Sequence, residues 1–218
     1  MPVAIIDERV GFPDPRKADA EGLVAVGGDL SVDRLLRAYR SGIFPWTACP
    51  ITWWSPDPRG IFELDGFHVS RSLARVLRKG IFRVTLNRAF EQVMEGCAAP
   101  GPGRWKTWIS PEFIKAYTQL HEQGHAHSIE CWEGDHLAGG IYGVGVGGFF
   151  AGESMFHRSD NASKVALYHL TQHLRERGFS LFDIQMVTPI TEELGAVTIS
   201  RTEYLKRLAK AIEEVHVF

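Results

Sequence analysis

The chain has 218 residues, of which 44% are hydrophobic and 23% are charged, and its formal net charge at pH 7 is -2. Such a chain can bury one core or two unequal ones, as ordinary globular proteins do. A net charge this small excludes a surface that is basic throughout, although it is compatible with a local basic patch. No apolar run approaches the ~20 residues of a membrane span, and residues 1–15 lack the basic start and apolar block of a signal peptide. We therefore expect a cytoplasmic protein without a membrane partner.

The three cysteines, Cys49, Cys97 and Cys131, are odd in number and far apart in the sequence. They form neither an even disulfide framework nor the C-x-x-C spacing of a zinc ribbon. We therefore predict reduced and mostly buried thiols.

The first sixty residues are rich in turn-forming Pro, Gly and Asp, and a single helix is predicted among them. That helix has Ser31 as its N-cap and ends at Gly42. The composition predicts a small, loop-rich N-terminal domain, residues 1–62, followed by a larger domain, residues 63–218.

Periodic segments alternate after Gly60. The predicted elements are a helix capped by Ser70 and running through Lys79, a strand at 82–87, helices at 89–98 and 111–124, strands at 127–133, 137–146 and 149–156, a helix at 162–178, a strand at 179–187 and a helix at 201–215. Gly147 and Gly148 predict a hairpin turn between the third and fourth of these strands, because both residues tolerate positive φ. This order indicates an α+β domain with a mixed sheet, and not a doubly wound one.

Residues 121–125, HEQGH, match the H-E-x-x-H pattern that places two zinc ligands on one helical face. Gly124, however, predicts the end of the helix, and the strand after it would turn His125 away from the face of His121. We therefore interpret His121, His125 and His127 as structural or interfacial, and we predict no metal site.

Residues 143–148, GVGVGG, match the dinucleotide fingerprint G-x-G-x-x-G. Its glycines bind a cofactor only between a strand and the N-terminus of a helix. A second strand follows here, so the glycines indicate a hairpin and close packing, and we predict no cofactor.

A basic stretch without any acidic residue lies between residues 71 and 88. Its members are Arg71, Arg75, Arg78, Lys79, Arg83 and Arg88. Two interpretations remain open at this point: a solvated helix face, or a surface that binds phosphates.

Polar residues interrupt two otherwise apolar predicted strands. Glu153 lies in one strand, and Asp183 and Gln185 lie in another, where residues i and i+2 face the same side. Buried polar groups need partners or a chemical role. The alternative to a catalytic role is a structural ion pair of Asp183 with Arg158 or Lys164.

Three tryptophans, Trp46, Trp53 and Trp54, lie in a proline-rich segment near the N-terminus. Aromatic rings in loops stack on bases and hold apolar groups. For Trp53 and Trp54 we favour a simpler role, in which the rings join the small N-terminal domain to the larger one.

These segments, in this order, resemble the leucyl/phenylalanyl-tRNA–protein transferase family. The resemblance rests on blocks spread over nearly the whole chain: GLVAVGGDLS, GIFPW, WWSPDPR, HVSRSL, FEQVMEGCA, TWI, GHAHSIE, GESMF, NASKVAL, FDIQ and LGA. It implies a small N-terminal domain and an acetyltransferase-like (GNAT) C-terminal domain. It also implies transfer of Leu, Phe or, less well, Met from aminoacyl-tRNA to proteins that begin with Arg or Lys, which marks them for N-end-rule degradation. No cofactor is implied, and we expect a monomer.

The resemblance also implies roles for individual residues. Asp183, Gln185 and Glu153 would act on the acceptor amine, with Gln185 orienting it and a carboxylate or the ribose hydroxyl taking its proton. Trp46 and Trp108 would stack around the terminal adenosine of the tRNA. The donor side chain would lie in an apolar pocket of Met155, Ile141 and Leu170. The acceptor stem would contact Arg71, Arg75, Arg78, Lys79 and Arg83.

Some positions depart from the family pattern. Thr47 stands where an aromatic residue commonly follows Phe-Pro-Trp, Ile190 and Glu193 replace His and Ser, and residues 104–106 form an additional Arg-Trp-Lys segment. Three other functions are rivals: an acyl-coenzyme A acyltransferase, a zinc hydrolase built on residues 121–125, and a non-catalytic tRNA-binding module.

Overall fold

The structure is a computed structural model, and it describes residues 3–7, 11–100 and 107–218. The additional segment at residues 104–106 lies outside these ranges. No helix in the described ranges is both long enough and apolar enough to cross a bilayer.

The N-terminal unit contains a four-stranded sheet that the turn-rich composition did not reveal. Its elements are β1 (Ala4–Ile6), β2 (Leu23–Gly27), α1 (Val32–Arg40), β3 (Phe44–Ala48) and β4 (Ile51–Trp54), with the strand order β1-β2-β4-β3. Helix α1 follows Ser31 and stops before Gly42, which has a φ of 75°, as predicted. Trp53 is fully buried and donates a hydrogen bond to the carbonyl oxygen of Gly27 at 2.8 Å. It belongs to an apolar cluster that extends into the larger unit.

The larger unit is a seven-stranded mixed sheet with helices on both faces. Its elements are β5 (Arg59–Phe62), α2 (Arg71–Lys79), β6 (Arg83–Leu86), α3 (Phe90–Ala98), α4 (Pro111–Glu122), β7 (Ala126–Glu133), β8 (His136–Val146), β9 (Phe149–His157), α5 (Ala162–Glu176), β10 (Leu181–Gln185), α6 (Pro189–Glu193), β11 (Val197–Ile199) and α7 (Arg201–Ala211). The strand order is β11-β5-β10-β9-β8-β7-β6, and β9 and β10 pair in parallel whereas the other neighbours are antiparallel. The predicted α+β class is confirmed.

Two apolar clusters cover the two faces of this sheet. Residues of α1, α3, α4 and α7 contribute to one cluster, and residues of α2 and α5 contribute to the other. Burial of these apolar faces is the main favourable contribution to folding. Strand β5 pairs within the large sheet, so the two sheets divide the chain between Trp54 and Arg59, a few residues before the predicted boundary.

Local signals placed most helices and the long hairpin correctly. The Ser70 hydroxyl accepts a hydrogen bond from the Leu73 amide, and Gly80 ends α2 in the left-handed conformation. The β8–β9 hairpin turns at Gly147 and Gly148, as predicted. Helix α7 ends at Ala211 and is therefore shorter than predicted. The strands β5 and β11 and the helix α6 were not predicted.

The HEQGH segment is divided between a helix and a turn. Helix α4 ends at Glu122, and Gly124 has a φ of 79°, which confirms the predicted helix end. The His121 ring stacks on Phe90 with a centroid distance of 4.3 Å, and its Nδ1 lies 2.8 Å from the carbonyl oxygen of Ala126. His121 therefore joins α4 to α3 and β7. Cys49 is exposed, whereas Cys97 and Cys131 are buried.

Candidate active site

The site forms at the end of β10, where regular strand geometry breaks down. The pairing of β10 with β5 shifts register between Asp183 and Gln185. Gln185 has a φ of 59°, in the left-handed region that non-glycine residues rarely adopt. Its backbone amide donates a hydrogen bond to Asp183 Oδ1 at 2.8 Å. The sequence pattern placed the Asp183 and Gln185 side chains on one face because residues alternate along a strand. That alternation ends at this register shift. Strained conformations of this kind concentrate at functional sites.

Gly60 on the neighbouring strand makes room for this turn. A Cβ atom at Gly60 would lie 2.8 Å from the Met186 carbonyl carbon and 2.9 Å from the Val187 nitrogen. Real Cβ atoms do not approach backbone atoms so closely. Glycine at position 60 is therefore required for the observed path of the chain after Gln185.

Asp183 is completely buried and is held by Arg59, a residue that sequence analysis missed. Arg59 donates from Nε to Oδ1 at 2.9 Å and from Nη2 to Oδ2 at 2.6 Å. The Tyr204 hydroxyl donates to the same Oδ2 at 2.9 Å. Such bidentate, charge-assisted pairs are among the stronger hydrogen bonds in proteins. Together with the Gln185 amide, these donors occupy both carboxylate oxygens.

The ion-pair partners proposed from the sequence lie elsewhere. Arg158 donates to the Leu137 carbonyl oxygen at 3.1 Å, and Lys164 lies 3.8 Å from a carboxylate oxygen of Glu193. The sequence signal that could have identified Arg59 is a lone arginine at the start of the apolar strand RGIF.

Arg59 connects the site to both units of the protein. Its Nη1 donates to the Gly42 carbonyl oxygen at 3.2 Å, and its guanidinium lies 4.9 Å from the Phe44 ring centroid and 4.3 Å from that of Tyr204. Burial alone would lower the pKa of Arg59, but the Asp183 carboxylate outweighs that effect and raises it. The ion pair therefore fixes the end of β10 against the N-terminal unit.

Glu153, on β9, has very different surroundings. Its Oε1 accepts a hydrogen bond from Gln185 Nε2 at 3.2 Å, and its Oε2 accepts one from the Tyr117 hydroxyl at 3.5 Å. Burial raises the pKa of Glu153 to about 8, and the negative charge of Asp183 acts in the same direction. Hydrogen bonds from Tyr39 and Tyr117 and the charge of Arg59 oppose this rise.

The hydrogen bond to Glu153 also orients the Gln185 amide. Its nitrogen is the donor, so the carbonyl oxygen is the amide atom that remains to accept a hydrogen bond from a ligand. A carboxyl group of raised pKa and an amide oxygen thus lie side by side. This pair can bind a primary amine and exchange a proton with it.

Glu153 and Gln185 line one cavity of about 320 Å³. Its lining residues are Phe44, Pro45, Trp46, Trp108, Glu153, Ile184, Gln185, Met186 and Thr188. The Trp46 ring lies 5.4 Å from that of Trp54 in an edge contact, and the Trp108 ring packs edge-on against Phe113 at 5.2 Å. The cavity therefore brings four of the residues named from the sequence together, whereas Asp183 lies behind it.

The three residues assigned to the donor pocket lie near one another but not in this cavity. Ile141 pairs with Met155 across β8 and β9, and Leu170 belongs to the same apolar cluster on the α5 face. Ile141 and Leu170 are buried and Met155 is half-buried. None of the three lines the cavity of the two tryptophans.

The basic residues lie on an exposed surface. Arg71, Arg75, Arg78 and Lys79 are exposed on α2, and Arg83 is exposed on β6, 5.4 Å from the ring centroid of Trp132. In the part of the chain that the structure describes, none of the five forms a salt bridge. Among the departures from the family pattern, Thr47, Ile190 and Glu193 do not line the cavity.

Comparison with known proteins identifies the family. The chain matches the family model for leucyl/phenylalanyl-tRNA protein transferase over residues 61–209, and the model for the N-terminal domain of that family over residues 28–57. A leucyl/phenylalanyl-tRNA–protein transferase of Shewanella sp. (strain W3-18-1) is 52% identical over 91% of this chain and 86% of the relative. One from Anaeromyxobacter sp. (strain K) is 49% identical over 98% of this chain and 93% of the relative.

Solved structures show only a partial likeness in fold. A GCN5-related N-acetyltransferase from Kribbella flavida is 9% identical with a TM-score of 0.43, over 81% of this chain and 63% of that one. L-PGS from Bacillus licheniformis is 12% identical with a TM-score of 0.44, over 76% of this chain and 53% of that one.

The family matches define the chain as an enzyme, an aminoacyltransferase that uses aminoacyl-tRNA and protein substrates. It belongs to the leucyl/phenylalanyl-tRNA–protein transferase family, as the resemblance implied.

Proposed function

We propose that this chain, acting as a monomer in the cytoplasm, transfers Leu, Phe and, less efficiently, Met from aminoacyl-tRNA to proteins whose N-terminal residue is Arg or Lys. The product would carry a new N-terminal hydrophobic residue that marks it for N-end-rule degradation. The observation that carries the proposal is the cavity in which Trp46 and Trp108 line the same space as Glu153 and Gln185. Flat rings suit a nucleoside, and the two polar groups suit an amine.

Removal of the amine proton is the first chemical requirement. The donor is already an activated ester, whereas a free α-amine has a pKa of ~8 and is largely protonated at neutral pH. Glu153, with a pKa of about 8, is matched to that amine, so the proton can move between them at little cost in free energy. Glu153 therefore takes one proton from the acceptor ammonium.

The bond changes then balance without any other reactant. The neutral amine nitrogen attacks the ester carbonyl carbon, and the bond between that carbon and the ribose oxygen breaks. The nitrogen gives its second proton to the leaving ribose oxygen, which leaves a peptide bond and a free tRNA hydroxyl. Glu153 releases its proton to solvent and is ready for the next cycle.

Gln185 and Asp183 take different parts in this scheme. The Gln185 carbonyl oxygen accepts a hydrogen bond from the acceptor amine and thereby orients its lone pair toward the ester. Asp183 has both oxygens occupied by Arg59, Tyr204 and the Gln185 amide, so it takes no proton. We assign it to holding Gln185 in its left-handed conformation and to supporting Gln185 electrostatically.

The remaining assignments concern recognition of the two substrates. Met155, Ile141 and Leu170 would hold the donor side chain, where each buried methylene contributes about 0.8 kcal/mol and polar donors are disfavoured. The exposed basic residues Arg71, Arg75, Arg78, Lys79 and Arg83 would contact the phosphates of the acceptor stem. The Glu153 carboxylate would favour a positively charged N-terminus.

The test is a transfer reaction with defined substrates. We expect the protein to transfer Phe from Phe-tRNA to a peptide that begins with Arg, as detected by the added mass at its N-terminus. The same peptide with an acetylated N-terminus is the matched control and should remain unchanged. Absence of transfer from Phe-tRNA and from Leu-tRNA would contradict the proposal, and transfer from acetyl-coenzyme A instead would favour the acyl-coenzyme A rival.

A further inference from the structure

Two buried tyrosines lie directly behind Glu153. Tyr39 is on α1 of the N-terminal unit and Tyr117 is on α4 of the larger unit, and both are almost entirely inaccessible to solvent. Their hydroxyl oxygens hydrogen-bond to each other. The Tyr117 hydroxyl also reaches Glu153 Oε2, at the 3.5 Å upper limit of a hydrogen bond. Two phenols from different units thus converge on one carboxyl group.

The direction of these bonds follows from the number of protons. Each phenol has one proton, and one of the two protons lies between the oxygens of the tyrosines. Because Tyr117 donates its only proton to Glu153 Oε2, the proton between the two phenols must come from Tyr39. The hydrogen bonds therefore run in series from Tyr39 to Tyr117 to Glu153, which lines the cavity. Burial and the charge of Glu153 raise the pKa of both phenols well above 10, so both remain donors throughout the working range of an enzyme.

We propose that Tyr39 and Tyr117 are positioning residues of the transfer reaction, because their hydroxyls, linked in series, orient the Glu153 carboxylate and stabilise its ionised form. This inference rests on the proposed function. The tyrosines exchange no proton with substrate; they donate hydrogen bonds while Glu153 takes the proton of the acceptor ammonium. The bond from Tyr117 should shorten when Glu153 ionises, since bonds to charged acceptors are shorter and stronger.

Besides the two tyrosines, the charged groups that act on Glu153 are Arg59 on β5 and Asp183 on β10. Tyr142 on β8 and Tyr204 on α7 also lie around it, but burial and the charge of Glu153 raise the pKa of both phenols, so both are uncharged in the working pH range. The hydrogen bonds from the two tyrosines lower the pKa of Glu153, whereas burial raises it. Loss of either phenolic hydroxyl should therefore keep Glu153 protonated to a higher pH.

Tyr142 provides a matched control within the same packing. It is completely buried, and its ring lies edge-on to that of Tyr117 at 5.8 Å. Its hydroxyl has no hydrogen-bond partner in the part of the chain described. Tyr142→Phe therefore removes the same atom from the same core without removing a hydrogen bond.

The experiment measures kcat and kcat/KM for Phe transfer to an Arg-initiated peptide from about pH 6 to about 9.5. For Tyr39→Phe and Tyr117→Phe we expect a roughly tenfold lower rate near neutral pH and a rising limb displaced upward by about one pH unit. The rates should approach that of the wild type at the alkaline end. The KM for Phe-tRNA should not change, and Tyr142→Phe should keep the profile of the wild type.

Two results would overturn the inference. One is a wild-type profile in both Tyr→Phe variants, and the other is a rate that falls equally at every pH, as for a purely structural role. Should either variant unfold, the pH dependence of Glu153 can be followed in the other, since each substitution removes one hydroxyl of the series. A wild-type protein that transfers nothing would instead contradict the proposed function itself.

Discussion

The two carboxylates of the site lie on neighbouring strands but in opposite surroundings. Asp183 is closed off from the cavity, and a guanidinium, a phenol and a backbone amide occupy its oxygens. Glu153 lines the cavity, its hydrogen-bond donors are the Gln185 amide and the phenols of Tyr39 and Tyr117, and it forms no salt bridge within the described ranges. A carboxylate held by neutral donors in a buried site has a raised pKa and can exchange a proton near neutral pH. The difference supports the proposed division, in which Asp183 maintains the geometry and Glu153 takes the proton.

The largest expected effect concerns the closed carboxylate. Asp183→Asn leaves the buried Arg59 without its counter-charge, which should destabilise the protein by about 3–5 kcal/mol. Urea unfolding measures this free energy, and transfer activity should be lost at the same time because Gln185 is released. The matched variant is Glu153→Gln, which removes the other carboxylate and should leave the protein folded. An Asp183→Asn protein as stable as the wild type would contradict the role of the ion pair.

The second prediction uses the pH dependence of stability. Burial raises the pKa of Glu153 to about 8, compared with 4.5 for an ordinary glutamate. The folded state binds the proton more tightly, so this stabilisation is complete below about pH 4.5 and is lost as the pH rises through about 8. Between about pH 5 and 9 the free energy of unfolding of the wild type, measured by urea titration, should fall by on the order of 4 kcal/mol relative to that of Glu153→Gln. If the free energy of unfolding depends on pH in the same way in both proteins, Glu153 has an ordinary pKa and the prediction is wrong.

Gly60→Ala tests the backbone that separates the two carboxylates. The added Cβ would meet the backbone of Met186 and Val187, which should cost about 1–3 kcal/mol and displace Gln185. We expect a larger loss of transfer than of tRNA binding. Gly11→Ala is a suitable control, because it introduces the same methyl group at a glycine without a positive φ, where nothing lies within 4 Å. Equal transfer rates for the two variants would exclude a special role of position 60.

The smallest effect is expected at the exposed basic surface, whose residues do not line the cavity. Changing Arg75 and Arg78 to Gln should weaken tRNA binding several-fold and reduce the slope of log affinity against log salt by about 1 to 2. Lys210→Gln on α7 removes an exposed charge elsewhere and should leave the salt dependence nearly unchanged. Identical slopes for all three proteins would place the tRNA on another surface.

Elements fixed by neighbouring residues were predictable from the sequence. Ser70 and Gly80 bound α2, and Gly147 and Gly148 turn the long hairpin, because caps and turns depend on a few adjacent residues. The strands of the N-terminal unit were missed because they are short and lie among prolines and glycines. Motif blocks named four residues that line the cavity, Trp46, Trp108, Glu153 and Gln185, but they did not give its geometry.

The missing geometry depends on contacts between distant segments. Arg59 and Asp183 are 124 positions apart, and no pattern in either strand indicates their pairing. The contact between Tyr39 and Tyr117 likewise requires two helices from different units to pack together. The left-handed conformation of Gln185 breaks the alternation on which strand predictions rely. Glu153 and Asp183 therefore looked equivalent in the sequence and differ in the structure.

The most direct test of this difference is the single-turnover rate of Phe transfer by Glu153→Gln. Glutamine keeps the size of the side chain and one acceptor oxygen, but its amide nitrogen only donates hydrogen bonds and the side chain accepts no proton. We predict a rate at least about 100-fold lower than that of the wild type near pH 8, with Phe-tRNA affinity unchanged. A Glu153→Gln protein that transfers Phe as fast as the wild type would contradict the assignment of the proton to Glu153.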